Sequence, residues 1–135
     1  MNNRIETNLL YLVKDLRSDY ASVINQLTIS NDNRLDIVNT YVELILKQIK
    51  NLDKDLKNPD KFIKDIKFIN TYSNAIKNYI KSLNDDNLFG IYISILDGLV
   101  YCDDISSLYI DYISGDSLTR QEIYNEEINS SKVRI

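Results

Sequence analysis

Four groups of residues carry functional groups suited to chemistry. They are the thiol of Cys102, the adjacent carboxylates Asp85-Asp86 and Asp103-Asp104, the polar run Asn31-Asp32-Asn33, and a set of ten tyrosines. A thiol nucleophile needs a base to take its proton, and this chain of 135 residues has no histidine. Cys102 therefore reads as a small buried hydrophobe. A single cysteine also leaves no internal disulfide and no thiolate zinc cage. Both acidic pairs precede apolar helical stretches, where a carboxylate accepts from free backbone N–H groups. Capping accounts for them without metal binding or acid–base work. Asn31-Asp32-Asn33 lacks the central Gly and terminal Glu of a calcium loop. The three glycines are too scattered to cradle a phosphate. No enzyme activity, cofactor or metal is expected.

The tyrosines fall mostly on apolar stripes, as core or as walls of a recognition surface, and those stripes must be carried by helices. Gly 3 and Pro 1 are too few for the turns of a sandwich or barrel. The chain is long enough for one domain with a real core. Its net charge is −4 and its pI about 4.8. The lysines between 47 and 81 are interleaved with Asp53, Asp55, Asp60 and Asp65, so no basic face for nucleic acid is expected. The opening residues 1–8 are polar, unlike a signal peptide, and no apolar run approaches a membrane span. Membrane attachment is expected only if a C-terminal anchor has been removed. The abundance of Ile, Asn, Lys and Tyr suits AT-rich codons, as in large DNA viruses, phages, clostridia and some protists.

Apolar intervals of three and four predict the elements. The first stripe runs from Ile5 to Leu27, with a break and fresh N-cap expected at Arg17-Ser18-Asp19. A loop follows at Ser30 to Asn33, then a helix from about Leu35 to Leu56. Asn58 caps the next helix, Pro59 takes its first position, and it continues to Leu83. Leu88 to Tyr101 is apolar on every side, as a buried central helix is, with a buried strand as the competing reading. Asp103-Asp104 is expected to cap a short last helix closed at Ser114-Gly115-Asp116. The domain is expected over 1–115, and 116–135 as a charged tail or linker. No internal repeat stands out.

Several segments, read in order, resemble the poxviral Bcl-2-like apoptosis inhibitors that act at mitochondria. They are Arg17-Ser18-Asp19-Tyr20-Ala21, Asp36-Ile37-Val38-Asn39 leading into Leu44-Ile45-Leu46, the run Phe62 to Ile76, and the words Ile95-Leu96-Asp97-Gly98-Leu99-Val100, Cys102-Asp103-Asp104 and Asp111-Tyr112-Ile113. The resemblance covers roughly residues 10–115. It implies an all-α, Bcl-2-like bundle of six to eight helices around a buried central helix. It also implies a viral inhibitor of apoptosis in the host cell cytoplasm, or at the mitochondrial outer membrane if the natural protein carries an anchor. The cellular relatives begin their central helix with an Asn-Trp-Gly-Arg box. Here Asn58-Pro59-Asp60-Lys61-Phe62 holds that place without Trp or Arg, and Lys61 or Lys64 would supply the charge. Asp86-Asn87-Leu88-Phe89-Gly90-Ile91 is the alternative start.

On this resemblance a hydrophobic groove takes BH3 helices of pro-apoptotic host proteins of the Bim, Bak and Bax type. Tyr20, Val23, Ile24 and Leu27 would form one wall. Ile37, Tyr41, Leu44 and Ile45 would form the floor and opposite wall, with Lys61, Phe62 and Ile66 at one end. Homodimer formation is compatible with this arrangement. Two other partners suit a helical bundle without chemistry. Related viral bundles close the groove and block innate-immune signalling adaptors with outer faces. A phage or bacterial immunity protein would instead cover a basic toxin site with an acidic surface.

Overall fold

The computed structural model describes residues 3–117. Over them the chain is all-helical: α1 (Asn3–Ser30), α2 (Asp36–Lys54), α3 (Pro59–Leu83) and α4 (Phe89–Ser117). A three-residue 3-10 helix leads into α2 and another into α4, at Asn33–Leu35 and Asp86–Leu88. Each long helix packs on two neighbours, in the ring α1–α2–α3–α4–α1. The connections are short, so consecutive helices run antiparallel, the up-down-up-down arrangement of a four-helix bundle.

Among the described residues four α-helices stand where six to eight were expected, because two anticipated breaks are absent. Ser18 lies in the continuous, exposed surface of α1, and the buried stripe Val13, Leu16, Tyr20, Val23 passes beneath it without interruption. Asp103 and Asp104 cap nothing. They are exposed inside α4, whose buried side continues through Cys102, Ile105, Tyr109 and Tyr112. Among the described residues no helix is central, and the all-apolar segment 88–101 forms half of one corner helix. The expected tail lies outside the described residues, apart from its first two positions, which end α4.

The signals at the helix starts do what their residue types predict. Asn58 accepts from the Lys61 N–H, with Pro59 at the first turn. Asp32 and Asp85 accept from the N–H two residues on, opening each 3-10 turn. Asn31 and Asn84 take the left-handed conformation that ends the preceding helix.

These two turns expose an internal repeat that the residue types conceal. Asn84, Asp85 and buried Leu88 stand 53 positions after Asn31, Asp32 and buried Leu35, the separation that also relates the hydrogen-bonded Tyr20 and Ser73. The same offset carries the buried side of α1 (Leu9, Val13, Leu16, Tyr20, Val23, Leu27) onto that of α3 (Phe62, Ile66, Ile69, Ser73, Ile76, Ile80). It carries Val38, Val42, Ile49 and Leu52 of α2 onto Ile91, Ile95, Cys102 and Ile105 of α4. The bundle is one helical hairpin built twice.

Both turns lie at the same end, where Arg34 joins them by donating to Asp32 and to Asp85 at 2.6 and 2.7 Å. Tyr79 donates its hydroxyl to the Arg34 carbonyl at 2.8 Å. Toward the opposite end Phe62 stacks on Tyr109 at 3.8 Å between ring centroids, and the Tyr109 hydroxyl donates to the Leu56 carbonyl. Half-buried Tyr79 at one end and buried Tyr109 at the other thus both have satisfied polar tips.

Candidate functional site

A helix in a four-helix bundle needs one apolar side. α4 has two. Ile91, Ile95, Cys102, Ile105 and Tyr109 face the core. On the opposite side Phe89, Ile93 and Val100 are 63%, 37% and 57% exposed, with Leu96 half-buried between them. The spacing of these four, i, i+4, i+7 and i+11, draws one straight stripe about 16 Å long. Contiguous exposed apolar surface of this kind marks interaction sites.

The stripe begins beside a hollow of about 190 Å³ at the second turn, lined by Ile80, Lys81, Asn84, Asp85, Asp86, Leu88, Phe89 and Tyr92. The repeat supplies its counterpart at the first turn, a hollow of about 420 Å³ that includes Leu27, Asn31, Asp32, Leu35, Asp36 and Asn39. Asp36 and Asn39 occupy the positions that Phe89 and Tyr92 hold in the second hairpin. One backbone frame therefore presents a polar hollow once and an apolar, aromatic one the second time.

Charge is distributed as unevenly as apolar surface. α4 carries Asp97, Asp103, Asp104, Asp111 and Asp116 and no Lys or Arg. Asp103, Asp104 and Asp111 are exposed and continue the outer face beyond Val100. Where α4 meets α1, Asp19 has its Oδ2 buried without a partner. Burial, followed by the charge of Asp97, raises its pKa to about 7. Gly98 permits this close approach, since a Cβ there would lie 2.8 Å from Tyr20 Cε2 and 3.0 Å from Asp19 Oδ2. A second perturbed carboxylate, Asp65 on α3, accepts from Gln48 at 2.5 Å. Burial and the neighbouring Asp55 carboxylate raise its pKa to about 6.

The structure gives the expected groove residues different situations. Tyr20, Val23, Leu27, Ile45, Phe62 and Ile66 are buried in the core, and of these Leu27 also edges the hollow at the first turn. They fill the space between the helices, because each sits at the centre of its helix's inner stripe. Ile24 and Tyr41 are half-buried, and Ile37, Leu44 and Lys61 are exposed. Of the set, Ile37 and Tyr41 come together with Ala75, Ile76 and Tyr79 around a hollow of about 180 Å³ at the α2–α3 seam. Tyr41 stacks on Tyr72 there at 5.1 Å.

Cys102 is buried and free, and burial pushes its thiol up to about 12, far from a reactive thiolate. Among the described residues no group of three or more Cys, Asp or Glu could hold a metal ion, and no helix is long and apolar enough to cross a membrane. The outer face of α4 was missed by sequence reasoning although its signal is plain. Leu88 to Tyr101 has more apolar positions than one buried stripe needs. No protein-family model, curated protein or solved structure matches this chain.

Proposed function

We propose that this chain is a non-enzymatic interaction module that binds another protein on the outer face of α4. The observation that carries this reading is the second apolar side of α4, with Phe89, Ile93 and Val100 exposed in register beside an aromatic-lined hollow. Leaving that stripe in water costs roughly 25 cal/mol per Å² of apolar area, which a partner would recover on docking. Of the partner classes set out above, those engaged by outer helix faces, signalling adaptors or a toxin, suit this surface. The test is a photo-crosslinking residue placed at Val100, compared with the same probe at exposed Lys47, in extract of the source cells. A discrete product from position 100 alone, lost on Ile93→Glu, is expected. Equal labelling from both positions would overturn the reading.

A second reading keeps the partner implied by the family resemblance, a BH3 helix, and has one observation in its favour. Ile37 and Tyr41 line the α2–α3 hollow, and exposed Leu44 follows Ile37 at i+7 on α2, a spacing that offers seats for the apolar anchors of a helix. Calorimetric titration with BH3 peptides decides it. Binding at or below micromolar that Leu44→Glu abolishes would support an apoptosis inhibitor working at this seam. Silence from the folded chain would remove that reading.

A further inference from the structure

The α4 face has a chemistry that narrows its partner, and the inference rests on the interaction reading above. Its apolar stripe, Phe89 to Val100, has acid at both ends. Asp86 is exposed at the rim of the hollow just before Phe89, and Asp103 and Asp104 follow directly after Val100. Asp111 extends the acidic end by two more turns, and Asp97 lies on the flank toward α1. No basic residue interrupts α4. The cations at this end are Lys81, on the α3 side of the hollow, and Arg34, which pairs with Asp85 at 2.7 Å, so Asp86 supplies the acid next to Phe89. We propose that the outer face of α4 takes a basic amphipathic helix of another protein, its apolar residues along Phe89, Ile93, Leu96 and Val100 and its Lys or Arg residues over the two acidic ends.

The same charge pattern disfavours a second copy of this chain as the occupant. An antiparallel pairing of two α4 stripes lays Asp103-Asp104 of each against Asp86 of the other. A parallel pairing sets each acidic position against its own copy. Like charges across an interface cost free energy in either arrangement. A basic helix meets opposite charge in both directions, because both ends of the stripe are acidic. From Asp86 to Asp104 the face is about 27 Å long, which a partner helix of about 18 residues spans.

The test is a display selection on the full chain with a library of helical peptides of that length. Apolar residues are fixed at i, i+4, i+7 and i+11, and flanking positions are randomised among Lys, Glu and Ser. Clones are expected to bind the parent and fail on Val100→Glu. Their flanks are expected to be enriched in Lys at both ends. A synthesised winner should weaken at least tenfold on Asp103→Lys/Asp104→Lys, and should weaken further as salt is raised. Binders that depend on Val100 but show no Lys enrichment would overturn this inference and leave the interaction reading standing. A selection yielding no Val100-dependent binder from a chain folded by circular dichroism would overturn both. Concentration-dependent dimerisation lost on Val100→Glu would give the face to a second copy and overturn the basic-helix assignment.

Discussion

Tyr20 and Ser73 hold the same position in the two hairpins, and their hydroxyls hydrogen-bond to each other inside the core, from α1 to α3. The pair is a large and a small residue sharing one layer, and each hydroxyl is the other's buried partner. Removing one partner strands the other. Tyr20→Phe or Ser73→Ala is expected to cost about 1–3 kcal/mol, and the double variant less than the sum. Urea denaturation of the four proteins measures the coupling. Additive losses would show that the contact contributes nothing.

The tyrosine ring fits because Gly98 stands opposite it. Gly98→Ala gains about 1 kcal/mol of helix propensity but drives a Cβ to 2.8 Å from Tyr20 Cε2. Overpacking of this sort typically costs 1–3 kcal/mol, so a net fall in melting temperature is expected. Gly90→Ala is the contrast. Its Cβ would meet only the Gln26 Oε1 tip at 3.3 Å, which can swing aside. That variant is expected to be neutral or stabilised by up to about 1 kcal/mol. Equal outcomes at both glycines would contradict the close approach of α1 and α4 at Gly98.

These relationships mark how much the sequence could tell. The inner stripes of α1, α2 and α3, and the cap at Asn58-Pro59, were legible because spacing and cap chemistry are local. The repeat was not. Tyr20 faces Ser73, and Gly98 falls where Ile45 stands, so a duplicated frame is filled by unlike side chains. Asp103-Asp104 was misread for a different reason. An aspartate pair before an apolar run marks a cap only when the chain starts a helix there, and exposed positions inside a helix tolerate the same pair. The apolar breadth of α4 pointed to a buried centre, because periodicity counts apolar faces and does not say what covers them.

Acidity should stabilise this bundle before it destabilises it. An acid whose folded-state pKa is raised holds its proton more tightly in the folded chain, so its contribution fades as pH rises through that pKa. Asp19, facing Asp97, is raised to about 7, and Asp65, facing Asp55 and Gln48, to about 6. Melting temperature is therefore expected to climb from about pH 8 to about pH 5. Asp32 and Asp85 act in the opposite sense. Hydrogen bonds from Arg34 hold both below the usual carboxylate range, and their contribution is lost as pH falls below about 4. Asp19→Asn should flatten the upper limb and leave the lower one unchanged. An upper limb unaffected by Asp19→Asn would refute the assignment.

Arg34 joins its own turn to Asp85, 51 positions on in the chain, yet its guanidinium and both carboxylates are solvent-accessible. Exposed ion pairs are screened, so their effect is small and salt-dependent. Arg34→Leu is expected to lower the melting temperature less than Tyr20→Phe does, and the deficit should shrink in concentrated salt. A deficit independent of salt would mean that the Tyr79 contact to the Arg34 backbone, rather than the guanidinium, was disturbed.

The two sides of α4 make opposite demands on substitution, and this separates stability from binding. Ile95 is wholly buried on the core side, and Ile95→Ala is expected to cost about 2–5 kcal/mol through the cavity it leaves. Val100 is more than half exposed one turn on, where a charged side chain reaches water without displacing a neighbour. Val100→Glu is expected to change stability by no more than about 0.5 kcal/mol, and to leave light scattering unchanged, because the acidic ends of the stripe already keep two copies apart. Paired urea melts and light scattering read both quantities from the same samples. A large loss of stability on Val100→Glu would mean that the outer stripe of α4 is covered by this chain itself, leaving no open face for a partner.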